Sequence, residues 1–174
     1  PAGSNYKAVF WLQNGECEAY SISDDMTLNV DYSSANNDEK RDAFYKYHTF
    51  TVTGAQTEVI ELRRPFAQLN IGTNDYDEST LAGYTPAYSY VKVPVSSELN
   101  LFSGAVNPAT DVEFKLAAVP QGETFPVDGY DYLAMNYLLV GSDKGLVDVE
   151  FGYSETESTA PKTRTVGSVP VQRN

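Results

Sequence analysis

With 174 residues, 41% of them hydrophobic and 13% aromatic, the chain has apolar material for one ordinary domain or two small ones. Its 24 acidic and 12 basic residues give a formal charge of −12, which argues against nucleic acid or anionic lipid and for protein, glycan or cation partners. A single cysteine, Cys17, excludes an internal disulfide; no Cys/His cluster has zinc spacing, and no run of about 18 apolar residues is present to span a bilayer.

In chain order, "YKAVFWLQ" is a strongly apolar strand candidate close to Pro1. "DMTLNVDY" alternates, with Met26, Leu28, Val30 and Tyr32 on one face, as a half-buried strand requires. The next stretch, "NNDEKRDAFYKY", gives the best helical spacing: Asn37 or Asp38 as cap and Ala43, Phe44 and Tyr47 on one side predict one short helix. "HTFTV" then reads as a strand.

"IELRRPFAQLNIGT" changes parity. Its apolar side chains fall on even positions before the proline (Ile60, Leu62, Phe66) and on odd ones after it (Ala67, Leu69, Ile71). A one-residue shift exchanges the two faces of a strand. The chain around Arg63, Arg64 and Pro65 therefore either carries a bulge within one sandwich or leaves one packing unit for another, which puts a boundary near residues 57–65.

"TNDYDES" gathers Asn74, Asp75, Asp77 and Glu78 without the spacing or glycine of a calcium loop, and reads as a solvated acidic loop. Strand candidates follow in "SYVKVPV", "ELNLF", "VEFKLAAV", "DYLAMNYLLV" and "LVDVEFGY", punctuated by turns such as "NPAT", "PQGE" and "GSDKG". "SETESTAPKTRT" has the composition of a mobile loop. "TVGSVPVQ" makes a plausible last strand, with Val169 and Val171 alternating and Val166 one step out of phase. Many short strands joined by turns predict an all-β, antiparallel sandwich with one short helix.

The phrases "YKAVFWLQNGECEAY", "NNDEKRDAF", "LRRPFAQLNIGT", "YDYLAMNYLLVGSDKGLVDVEFGY" and the terminal "VPVQRN" resemble the fimbrillin-like proteins of Bacteroidetes-type fimbriae. The resemblance implies transthyretin-like β-sandwich domains, export usually as a lipoprotein, an outer-membrane or cell-surface location, and assembly by inserting a strand of one subunit into the next. It places residues 1–56 in the C-terminal part of a first domain and 57–174 in a second, with further strands of a family member beyond each end. Implied partners are other fimbrial subunits or a second copy of the chain, and a host protein or glycan receptor. Membrane contact would come only through a lipid anchor on the precursor.

Little supports catalysis. His48 has no nucleophile motif near it, Cys17 reads as a packing residue, and no phosphate loop occurs, so neither an enzyme nor a bound cofactor is expected. Thirteen tyrosines keep open a second function, a surface carbohydrate-binding module, with Tyr84, Tyr88 and Tyr90 as stacking candidates. Val166, Val169 and Val171 are candidates for a terminal or exchanged strand, and Arg63, Arg64 and Pro65 for a domain junction whose guanidinium groups pair carboxylates or carbonyls.

Overall fold

A computed structural model describes residues 3–33 and 36–173. In chain order the described residues form β1 (Asn5–Gln13), β2 (Tyr20–Ile22), β3 (Thr27–Val30), a 3-10 turn (Glu39–Arg41), β4 (Ala43–Thr51), β5 (Phe66–Thr73), α1 (Tyr76–Leu81), β6 (Tyr88–Val95), β7 (Glu98–Asn100), β8 (Thr110–Ala118), β9 (Asp131–Leu139), β10 (Gly145–Ser154) and β11 (Lys162–Val171). Every strand pair is antiparallel. The protein is an all-β sandwich.

The larger layer runs β11-β10-β6-β8, and facing it are β5-β9 and β2-β3-β7. β6 shows why the alternation works: Val91, Val93 and Val95 point inward and are buried, while Tyr90 and Lys92 point out. Proline is tolerated at position 94 of this interior strand because the ladder with β10 stops at Lys92, so no donor is required on that side. β9 is buried on both faces from Tyr132 to Leu139, and ring contacts such as Tyr32 edge-on to Phe114 of β8 close the core.

β3 pairs with β7 across residue 57, and one buried cluster takes Leu28, Val30, Tyr32 and Ala43 from before that point together with Phe66, Val91, Phe114, Leu138 and Val149 from after it. A division at 56/57 therefore does not separate two cores. The β1-β4 pair forms its own ribbon.

Three local expectations need correction. The stretch expected to be a helix gives only the 3-10 turn, capped by the Asp38 side chain, and from Ala43 onward it is strand. Pairing with β1 decides this, since Gln13 to Asn5 run opposite Ala43 to Thr51 and the aromatic residues of both strands pack across the ribbon. The acidic stretch read as a loop instead holds α1, whose first turn carries Asp77 and Glu78, where negative charge suits the helix dipole. The tail read as a mobile loop is already strand at Lys162, because Lys162 to Arg164 pair with Tyr153 to Phe151.

No continuous strand crosses Pro65. Arg63 forms a two-way backbone bridge with Tyr45 of β4, the chain bends at Pro65, and β5 begins at Phe66 alongside β9. Phe66 stacks on Tyr20, whereas Leu69 and Ile71 pack on the core from the other face of β5. The parity change thus records a change of partner strand.

Candidate functional site

β11 is the outermost strand of its layer. Eight of its ten residues pair with β10, and no strand is paired to its other edge among the described residues. Lys162 to Ser168 are exposed on both faces; only Val171 is buried, with Val169 half-buried. Alternation without burial from Lys162 to Ser168 means that nothing lies opposite this part of the strand in the second layer, whereas Val169 and Val171 reach the core.

The odd phase of Val166 has a concrete origin. Val147 pairs with Val169 and Val149 with Val166, so Gly167 and Ser168 together oppose the single residue Asp148. This is a β-bulge: Ser168 takes a positive φ of 58°, and its N–H donates to Asp148 Oδ1 at 2.9 Å. The extra residue returns Val166, Val169 and Val171 to one face. Val166 remains 49% exposed there, an apolar side chain without cover on an unpaired edge.

β9 manages its second edge differently. Asn37 Oδ1 accepts from the Met135 N–H at 2.8 Å, Ser89 Oγ donates to the Leu133 carbonyl, the Tyr32 hydroxyl accepts from the Leu139 N–H, and the Ser96 N–H donates to the Leu139 carbonyl. Side chains and loop backbone here replace a strand. β11 has no comparable set of caps among the described residues: Arg164 Nη1 donates to the Thr163 carbonyl at 2.9 Å, and the bond from Ser168 to Asp148 faces β10.

At the expected junction the two arginines differ. Arg64 pairs with Asp42 through two hydrogen bonds and lies 4.9 Å from the Phe44 ring, whereas Arg63 is exposed and only 3.6 Å from Glu61. The Asp42 bond holds the Arg64 guanidinium even more firmly protonated than usual. Pro65 is buried at the bend.

The three tyrosines do not share a surface. Tyr84 packs edge-on against Tyr153, under the Lys162 ammonium at 3.5 Å, on the Phe151 face of β10. Tyr88 and Tyr90 alternate with Val91 and so belong to the opposite face, where the Tyr90 ring lies over Gly152 and its hydroxyl donates to Glu150. Burial first, then Glu150, pushes the Tyr90 phenol up to about 12.

His48 bonds Glu58 and stacks on Phe50, and Cys17 is buried and unpaired. Among the described residues no group of three His, Cys, Asp or Glu side chains could hold a metal ion, and no helix is long and apolar enough to cross a membrane. The sequence reading missed Asn37 as an edge cap. Its only signal there was an asparagine in a polar run, and the partner lies 98 residues away.

A family profile described as "Family of unknown function (DUF6562)" matches residues 2–174, and the chain belongs to this family. No curated protein and no solved structure gives a match.

Proposed function

We propose that this DUF6562 member is a fimbrial or cell-surface adhesion subunit that assembles by strand complementation. The observation that supports the reading best is β11: ten residues long, paired on one side, uncovered on both faces from Lys162 to Ser168, with Val166 turned back into register by the bulge. An extended segment from a second subunit would take up the unpaired backbone groups and cover the Val166 face.

The magnitudes favour a joint that uses both. A strand added along ten residues forms roughly ten ladder bonds at about 1 kcal/mol net each, which is comparable to the cost of about 4–15 kcal/mol for association. Backbone pairing alone is marginal, and burial of alternate apolar side chains supplies the surplus. In this reading the subunit is exported and held at the outer membrane through a lipid anchor on its precursor. A glycan shelf built from Tyr84, Tyr88 and Tyr90 has less support, since those rings occupy opposite faces of the sheet.

The test is to locate the chain in the cells that make it. Antibody to this protein should label sheared surface filaments or the outer-membrane fraction, with ladders of covalently unlinked oligomers that survive mild detergent. Recovery only as a monomer inside the cell would overturn the proposal.

A further inference from the structure

We propose that the outward face of the β1-β4 ribbon is a self-association surface, covered in solution by the same face of a second copy of the chain. The two strands alternate in step. Odd positions turn Val9, Trp11 and Tyr45 onto the core, so even positions face away from it, with Tyr6, Phe10 and Leu12 of β1 opposite Phe50, Lys46 and Phe44 of β4.

This face is wrong for water. Where β8 meets solvent, its outward positions are Asp111, Glu113 and Lys115. On the ribbon the equivalent positions are mainly aromatic or aliphatic, interrupted by Lys46 and His48. Residues 8 to 12 of β1 read Ala-Val-Phe-Trp-Leu, an unbroken apolar run of the kind found in strands buried on both faces. Yet Tyr6, Phe10 and Leu12 are 36%, 39% and 57% exposed, so no strand or loop among the described residues closes over them.

The face is complementary to itself. A two-fold axis parallel to the strands, midway between them and above the face, sets β1 of one copy over β4 of the other at the same height, with the two ribbons aligned as in a sandwich. Each residue then meets the second copy's version of its own cross-strand neighbour. Leu12 meets Phe44, Tyr6 meets Phe50, and the Phe10 ring receives the Lys46 ammonium. The charge that would spoil an apolar joint thereby gains an aromatic partner, twice by symmetry. Part of the surface is ordered in advance, since Tyr6 and His48 both stack on Phe50, at 5.6 and 5.8 Å.

The area suffices for a weak dimer. At roughly 200 Å² per large apolar side chain, Tyr6, Phe10 and Leu12 leave about 250 Å² uncovered per copy, and half-buried Phe44, His48 and Phe50 raise this to about 400 Å². Two copies with their polar rim bury on the order of 1,000 Å², the lower end for a specific interface, where micromolar affinity is expected. Each chain carries a charge of −12, so salt should tighten the dimer by screening repulsion between the copies. β11 belongs to another sheet and plays no part in this joint.

The test is sedimentation equilibrium of the full chain from low micromolar to near-millimolar concentration, in the Val166→Asp background so that pairing through β11 does not contribute. A monomer–dimer equilibrium that tightens with salt is expected. Phe10→Asp and Leu12→Asp, both at exposed positions, should each weaken it about tenfold or more, with unchanged circular dichroism and thermal midpoint. An equimolar mixture of Phe10→Cys and Lys46→Cys chains should cross-link under mild oxidation faster than either variant alone. A monomer at every concentration, a dimer that persists in both aspartate variants, a mixture that cross-links no faster than its components, or capture of a different protein by this face while the chain itself stays monomeric would each overturn the proposal. None of these outcomes touches strand complementation through β11.

Discussion

Arg64 grips Asp42 at two points, Nε to Oδ1 at 2.7 Å and Nη2 to Oδ2 at 2.8 Å, and so ties the chain just before β5 to the start of β4. The pair is only partly exposed, and its planar geometry cannot be reproduced by an ammonium. Arg64→Lys should therefore cost about 1–2 kcal/mol in urea unfolding despite keeping the charge. In the double variant with Asp42→Ala the losses should fall short of their sum; full additivity would show that the pair is not coupled.

Tyr90 covers Gly152 from the adjacent strand. A Cβ at 152 would stand 2.1 Å from Tyr90 Cε1, so Gly152→Ala must drive the ring off the sheet and break its bond to Glu150. The expected loss is about 1–3 kcal/mol, typical of overpacking. Tyr90→Ala removes the obstacle, and in that background Gly152→Ala should cost little or even stabilise.

Asn37 stands in for a strand beside β9. Asn37→Ala leaves the Met135 N–H without its acceptor and the Ala118 carbonyl without its donor, an expected loss of about 1–3 kcal/mol. Asn37→Asp keeps the acceptor and sets a carboxylate against the Ala118 carbonyl, so its loss should match or exceed that of alanine only if the donor bond dominates. Thermal midpoints of the two variants decide between the bonds.

Alkaline conditions should unfold the protein. Burial pushes up the phenols of Tyr20, Tyr32 and Tyr137, and Tyr90 reaches about 12, against an ordinary value of 10.0. Above pH 10 the unfolded chain gives up protons that the folded one retains, so stability falls as pH rises through that window and is unaffected by these groups below it. Tyr32→Phe should flatten part of the fall while lowering stability at neutral pH, because the hydroxyl bonds the Ser96 carbonyl and the Leu139 N–H. A urea midpoint that stays constant from pH 8 to pH 11.5 would contradict this.

Much of the sandwich was legible in alternation alone. Leu28, Val30 and Tyr32 are buried on the face their alternation named, because period two and a buried face are the same constraint. The helix went wrong for a physical reason: Ala43, Phe44 and Tyr47 fit a helical face, but Ala43, Tyr45 and Tyr47 fit a strand equally well, and pairing with β1 settles a choice that local spacing leaves open. Parity changes carried real information in both places they occurred, as a change of partner at Pro65 and as a bulge at Gly167–Ser168. What the sequence hid were contacts made across long separations. Arg173 lies 69 residues from Gly104, and Asn37 lies 98 from Met135.

The most direct measurement is amide hydrogen exchange over Lys162–Val171, residue by residue, in dilute protein and after adding either concentrated unlabelled protein or a peptide carrying an alternating apolar strand. In dilute protein the amides of β11 that point away from β10 should exchange rapidly, while those bonded to β10 are protected. On addition the outward amides should become protected together, and Val166→Asp should abolish that change while leaving the β10 pairing intact. Outward amides that exchange at the same rate under every condition, in a protein that scattering shows to be monomeric at high concentration, would contradict assembly through this edge.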